Sequence, residues 1–346
     1  MSSLYAIHCF YIGDNTHEIS FDIKGTMPSY AIYSYDHEKK MKGQLLLESH
    51  HIKDQFICEL SETKRQYFLF ESHGEVLVFS HRIIPLDGMY NVRDMGGYLC
   101  KDGKRTKWGH IYRGDHLINL KEASFTKFLS LDVDTIIDLR SSEEINSHPN
   151  PYLNQDQTVY CDPNAHTAAF AGILQDLDGK DDHVLLQGSM YTKKQAITQM
   201  ESQQKRFVYE PESKLAFARM LRTIGSSETT ISYQHCRGGK DRTGYSIMLI
   251  QEILGIYPHL IIDDYMLTKR ARAKKNKQYK ERFLKLAHNN QDVADYLYMH
   301  FDTRESFIVA AQNEISEHYE SVLDYIKTEL KISDRMLDLI REKYLE

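Results

Sequence analysis

One stretch of this chain, His235-Cys236-Arg237-Gly238-Gly239-Lys240-Asp241-Arg242-Thr243-Gly244, holds most of the residues able to do chemistry. A cysteine stands six residues before an arginine, a hydroxyl residue follows the arginine, and two glycines lie between. Upstream, Glu228 to Gln234 is short and rich in β-formers, which predicts a strand. Downstream, Tyr245 to Ile256 carries Ile247, Leu249, Ile250, Ile253 and Leu254, which predicts a mostly buried helix. A strand, a glycine turn and a helix N-terminus make an anion cradle, because successive N–H groups converge and the helix dipole adds positive potential. The same field favours a thiolate over a thiol. The stretch reads as a phosphate site with a nucleophile inside it.

A nucleotide-binding loop of the G-x-x-x-x-G-K-[ST] type is excluded, since Gln234 and Asp241 occupy its first glycine and its hydroxyl position. Cys-x5-Arg-Thr fits instead, and it resembles the signature of the protein tyrosine phosphatases. The form His-Cys-x-x-Gly-Lys-Asp-Arg-Thr-Gly is similar to the bacterial and fungal tyrosine phosphatase family whose members also act on phosphoinositides. Further segments carry the resemblance in the same order: Pro85 to Tyr98 with its Asn91-Val92-Arg93-Asp94, then Asp102-Gly103-Lys104, Ile111-Tyr112-Arg113, Ile136-Ile137-Asp138-Leu139-Arg140-Ser141, Leu254-Gly255-Ile256 and Asp263-Asp264-Tyr265-Met266-Leu267. The likeness runs from about Arg82 to the C-terminus. It implies an α/β cysteine-phosphatase fold, with a central mainly parallel sheet flanked by helices, and no metal or organic cofactor.

On that reading Cys236 attacks phosphorus and forms a phosphocysteine that water hydrolyses. Arg242 grips equatorial phosphoryl oxygens with its planar guanidinium. Arg237, Gly238, Gly239, Lys240, Thr243 and Gly244 complete the phosphate cradle, with Thr243 expected to hydrogen-bond the sulfur. The family assigns the general acid to the aspartate inside the loop, here Asp241; Asp138 and Asp162 are the other candidates. The Trp-Pro-Asp loop of the larger animal enzymes is absent, because Gly109-His110 follows the single tryptophan, Trp108. Lys240 resembles the loop lysine of tensin-homologue lipid phosphatases. His235 is expected to orient the loop; Arg93, Asp94 and Arg140 are expected to brace it. A sulfurtransferase or an arsenate reductase also uses a loop cysteine, but Arg242-Thr243 argues against the first and the scattered cysteines against the second. A binding module that reads phosphate without turnover is the rival of a different class.

The elements that must position these residues fall into two regions. Residues 1–80 read as an all-β, sandwich-like domain, with expected strands at Ile7 to Ile12, Tyr30 to Tyr35, Gln44 to Glu48 and Gln55 to Leu60. A hairpin is expected from Tyr67-Phe-Leu-Phe-Glu-Ser72 and Glu75-Val-Leu-Val-Phe79 about His73-Gly74. Residues 81–346 alternate strand and helix and carry the catalytic domain. Asp134 to Leu139 and Thr229 to Tyr233 read as buried parallel strands. Asn164 to Lys205 is loop-like and then helix-prone, a candidate lid. Lys214 to Leu221 predicts a helix, the stripe Ile308, Ala311, Ile315, Tyr319, Val322, Ile326 predicts one amphipathic helix, and Ser333 predicts the cap of a last one.

A net charge of −6 gives no global attraction to nucleic acid or to acidic membrane. One local exception is the run Lys269 to Arg282, a solvated helix face or a contact for acidic membrane or phosphopeptide. Five cysteines with no C-x-x-C pair argue against a disulfide framework and a zinc site. With no signal-like segment and no long apolar run, the expected location is cytoplasmic, non-classical export aside. The substrate expected is a phosphoprotein or a phosphoinositide.

Overall fold

The computed structural model describes residues 3–13, 16–24, 29–49, 55–59, 65–167 and 192–346. Its first part is antiparallel. β1 (Ser3–Gly13), β2 (Thr16–Lys24) and β5 (Gln55–Glu59) form a three-stranded sheet in the order β1-β2-β5. β3 (Tyr30–Asp36), β4 (Met41–Ser49), β6 (Tyr67–Ser72) and β7 (Glu75–Ser80) form a four-stranded sheet in the order β4-β3-β6-β7. The β6–β7 hairpin turns on His73 and Gly74, both at positive φ, as a two-residue turn matched to strand twist requires. β2 was not expected, although Ile19, Phe21 and Ile23 alternate with Glu18, Ser20, Asp22 and Lys24 as a half-buried strand requires; it pairs with β1 and β5. Cys9, Ile19, Ile32, Phe68, Phe70 and Phe79 fill one core between the sheets, and Trp108 from the following region inserts into it.

The second part is a five-stranded sheet in the order β11-β10-β12-β9-β8. Its strands are β8 (Arg93–Asp94), β9 (Ile111–Gly114), β10 (Thr135–Asp138), β11 (Gln157–Tyr160) and β12 (Ser232–His235). All neighbours pair in parallel except β8, which runs antiparallel to β9. Successive residues of β10 face opposite layers: Ile137 packs with Val159, Leu221 and Leu249, whereas Ile136 packs with Tyr112, Phe128 and Tyr233. Burial on both sides explains the near-continuous apolar run at Ile136-Ile137.

The helices are α1 (Phe125–Leu129), α2 (Ser142–Ser147), α3 (Lys193–Tyr209), α4 (Pro211–Gly225), α5 (Asp241–Ile253) and α6 (Pro258–Ala271). They continue as α7 (Ala273–Leu286), α8 (Gln291–Met299), α9 (Glu305–His318), α10 (Val322–Thr328) and α11 (Asp334–Tyr344). Helix α5 begins at Asp241, a full turn before the apolar run, so Arg242 and Thr243 lie on it. Strand β12 begins at Ser232, later than expected, because Asp134 Oδ2 accepts the N–H groups of Thr230 and Ile231 and diverts them from a ladder. The single stripe from Ile308 to Ile326 is two helices: Ser321 caps α10 by accepting Asp324 N–H. Ser333 caps α11, accepting Met336 N–H. The first part of the candidate lid falls mostly on residues 168–191, outside those described; the helix-prone part is α3, packed along α9. Among the described residues, no helix is long and apolar enough to cross a membrane.

Candidate active site

Strands β10, β12 and β9 end side by side at Asp138, His235 and Gly114. The loop after the central strand therefore emerges at the carboxyl edge of the sheet, where open α/β sheets bind ligands. That loop runs from Cys236 to Lys240 and feeds α5 directly. Its carbonyls are turned outward and held. His116 N–H donates to Arg237 O at 3.2 Å, Arg272 Nη1 to Gly238 O at 3.0 Å, and Asn91 Nδ2 to Gly238 O and Gly239 O at 3.1 and 2.8 Å. Arg113 Nη2 donates to Gly239 O at 2.9 Å. Since the C=O and N–H of a trans peptide point oppositely, these contacts turn the intervening N–H groups toward the cavity. Gly239 has φ +62, and a Cβ there would lie 2.3 Å from Gly114 O, so only glycine closes this turn.

The cavity holds about 60 Å³ and is lined by Cys236, Arg237, Gly238, Lys240, Asp241 and Arg242, with Met200, Phe207, Arg272 and Phe301 among its walls. Cys236 is 4% exposed. Arg242 is buried and held by Glu144, whose Oε1 accepts Nη2 at 2.9 Å and whose Oε2 accepts Nη1 at 2.5 Å; Leu139 O accepts Nη1 as well. Glu144 is itself fixed as the third residue of α2, in a reciprocal capping box with Ser141. Burial alone would raise its carboxyl, but Arg242 outweighs that and brings it down to about 2. The guanidinium is thus set in its plane before any ligand arrives.

Lys240 is buried, and its ammonium donates to His300 O and Asp302 O at 2.9 and 2.7 Å, with Asp241 Oδ2 3.4 Å away. Burial lowers its pKa, an effect Asp241 opposes. Asp241, in the first turn of α5, keeps partial solvent access and has Tyr265 Oη 3.5 Å from Oδ1. The hydroxyl of Thr243 is buried with no hydrogen-bond partner among the described residues. Gly244 packs against the ring of Tyr265, where a Cβ would come within 2.6 Å.

The other two candidate acids differ sharply. Asp138 is fully buried, chelated by Arg140 Nε and Nη2 and contacted by Asn150 Nδ2 at 3.1 Å. Burial would raise its carboxyl, yet the cationic Arg140 that chelates it holds it below the usual range. Asp162 follows β11 in an exposed turn, accepting Asn164 N–H at 2.9 Å. Desolvation of its carboxyl, with Glu144 and Glu143 nearby, raises its pKa against the pull of Arg242. His235 is fully buried, and burial lowers its pKa against the pull of Asp138. Asn150 Nδ2 lies 2.9 Å from Nε2 and Cys236 O 3.0 Å from Nδ1, which places the proton on Nδ1 and ties the ring to the carbonyl of Cys236.

Behind the loop sits a cluster that reading the sequence did not assemble. Asp264 Oδ1 accepts Arg93 Nε at 3.0 Å and Tyr98 Oη at 3.0 Å, while Oδ2 accepts Arg113 Nη1 at 2.8 Å. Arg93 also donates to Asn91 Oδ1, Asp264 O and Thr268 Oγ1. Asp115 accepts the N–H groups of Tyr90 and Asn91. Asp94 turns away from the loop, pairing with Arg65 and accepting Gly96 N–H and Gly109 N–H. Asn91, Arg113 and Asp264 lie inside the segments that carried the resemblance, but their convergence is a property of the fold. Glu144 had a local signal, the Ser141-x-x-Glu144 spacing. Arg272 was hidden in the basic run, although its spacing to Asn276, Tyr279 and Phe283 marks the buried stripe of a helix.

Burial raises the thiols of Cys100 and Cys161 to about 11 and about 12, leaving both as inert core groups. Among the described residues the one group of side chains with metal-ligand spacing is Glu314, Glu317 and His318, at the end of α9 and away from the loop. A family model described as "Tyrosine phosphatase family" matches residues 84–346. A protein of Cupriavidus necator, provisionally named a tyrosine-protein phosphatase, is 24% identical over 260 residues, covering 72% of this chain and 84% of that one. The triple specificity protein phosphatase PtpB of Mycobacterium tuberculosis is 24% identical over 264 residues, covering 70% and 92%.

Proposed function

Because the chain belongs to the tyrosine phosphatase family, we propose that it hydrolyses phosphotyrosine through a phosphocysteine formed on Cys236. The observation that carries this is the placing of Cys236, 4% exposed, at a cavity whose loop carbonyls at Arg237, Gly238 and Gly239 are held by His116, Arg272, Asn91 and Arg113. The thiolate attacks phosphorus, the bond to the tyrosyl oxygen breaks, and that oxygen takes a proton from the general acid. Water then attacks the phosphocysteine, releases phosphate and returns the thiolate. Arg242 and the loop N–H groups meet the charge on the equatorial oxygens, and Glu144 fixes the guanidinium so that little reorganisation accompanies the reaction. Thr243, with its hydroxyl buried and uncommitted, is the donor for the departing sulfur. His235 orients the loop through the Cys236 carbonyl.

Asp241 is the proposed acid, since it lines the cavity with Cys236 and keeps solvent access. Asp162 is the second reading, favoured by its raised pKa beside Arg242. Asp138 has every acceptor committed to Arg140 and Asn150 and is a brace in this scheme. Phosphoinositides are a further substrate class, supported by exposed Lys274, Lys277 and Lys280 on α7, the helix that follows the loop contact of Arg272. Residues 1–80 stand here as an accessory unit and residues 81–346 as the catalytic one.

The test is phosphate release in chelator by wild type and Cys236→Ser, on a phosphotyrosine peptide, a phosphoserine peptide and phosphatidylinositol phosphates. Turnover of the phosphotyrosine peptide that vanishes in the variant is the expected result. Tight binding of phosphate esters without wild-type turnover would make the protein a phosphate reader and end the proposal.

A further inference from the structure

A largely apolar cavity lies between the N-terminal sheets and α6. It holds about 280 Å³, near the ~300 Å³ lower end of small-molecule sites. Cys9 of β1, Leu77 of β7, and Leu260 and Leu267 of α6 face it, and Trp108 and Tyr98 close one side. Two arginines in its lining, Arg82 and Arg105, form no ion pair among the described residues, although the field of Arg82 reaches Asp264. Arg82 donates Nη1 to Asp94 O at 2.8 Å and lies 3.8 Å over the Tyr98 ring. Arg105 donates Nη1 to Gly97 O at 3.1 Å; Glu75, whose field reaches it, makes no ion pair with it. Arg270 and Asp263 also border the space and are exposed, and Asp264 is already shared by Arg93 and Arg113. An apolar chamber with two half-buried guanidinium groups at its wall suits a ligand that is apolar along its length and anionic at one end.

The chamber is also wired to the loop. Tyr98, which lines it, donates to Asp264 Oδ1; Asp264 Oδ2 holds Arg113; and Arg113 holds Gly239 O. We propose that this cavity binds an unbranched acyl carboxylate, its chain against Trp108 and Leu267 and its carboxylate at Arg82 and Arg105. Occupancy shifts Tyr98 and, through Asp264 and Arg113, changes how tightly the loop holds phosphate.

The single tryptophan makes this directly measurable. Decanoate is titrated below its micelle concentration while Trp108 fluorescence is followed, with decanol and butyrate in parallel. A saturable change with decanoate is expected, weakened at least tenfold in Arg105→Gln and lost when Leu267→Phe or Leu77→Phe fills the space. Decanol should respond equally in wild type and Arg105→Gln, and butyrate should not respond. Saturating decanoate should shift the KM for 4-nitrophenyl phosphate in wild type but not in the filled variants, whose basal turnover stays unchanged. A non-saturating change, or one indifferent to Arg105→Gln and to both filling variants, overturns the site. Saturable binding with KM unmoved overturns the coupling alone. The fluorescence arm needs no turnover, so it separates failure of this site from failure of the phosphatase reading.

Discussion

At the residue scale, the loop arginine is prepared for its ligand by a carboxylate. Glu144 holds both terminal nitrogens of Arg242 and is itself locked into a helix cap, so the guanidinium plane is fixed within the fold, which in the proposed mechanism lowers the cost of meeting phosphate. The acid is chosen by similar local differences. An acid must be protonated when it acts, so its loss removes the basic limb of the kcat profile and hurts most for leaving groups of high pKa. Asp241→Asn should lower kcat on a phosphotyrosine peptide by about 10²–10⁴-fold. It should cost far less on 4-nitrophenyl phosphate, whose leaving group needs little protonation. Asp162→Asn should leave both nearly unchanged. If the large selective loss appears in Asp162→Asn instead, the raised carboxyl beside Arg242 is the acid and Asp241 serves only α5.

At the scale of elements, one buried aspartate ties β8, β9 and α6 to the phosphate loop. Asp264 bridges Arg93 and Arg113, and these carry the braces on to Asn91 and Gly239. Burial would raise its carboxyl, but the two guanidinium groups bring it down to about 2. Arg113 benefits less: burial beside Arg93 lowers it to about 10, so it stays cationic at neutral pH. A depressed carboxyl stabilises the fold above the unfolded pKa near 4, and that contribution fades as pH falls through about 2. The linkage amounts to about 2 kcal/mol. Asp264→Asn leaves the two arginines facing each other, and breaking such a pair costs about 3–5 kcal/mol at pH 7. Urea midpoints of wild type and Asp264→Asn should therefore lie well apart at pH 7 and draw together as pH drops from about 4 to about 2. A gap independent of pH would show that the carboxylate charge is not what holds these elements.

At the scale of the whole molecule, charge is segregated although the chain is net acidic. Helix α7 buries Asn276, Tyr279 and Phe283 and exposes Lys274, Lys277 and Lys280, while Arg272 just before it reaches the loop. Neutralising Lys274, Lys275 and Lys277 together should weaken binding to phosphatidylinositol phosphate vesicles, by about 1 kcal/mol per charge near the surface. The loss should shrink as salt rises, and unchanged binding would remove α7 from any role at lipid. The amino-acid sequence alone sufficed for whatever is local in the chain. Cys-x5-Arg-Thr between a strand and a helix, the His73-Gly74 turn, the Ser333 cap and the two-sided burial of Ile136-Ile137 each depend on neighbours a few residues away. Tertiary structure decided what depends on distant segments meeting. It turned Arg272 out of a seemingly solvated run and onto Gly238 O, committed Lys240 to carbonyls some sixty positions on, and inserted Trp108 into the N-terminal core. It also gathered Asn91, Arg113 and Asp264 behind the loop. Propensity and periodicity report the backbone's local preferences, whereas a buried charge finds its partner only after the sheet has closed.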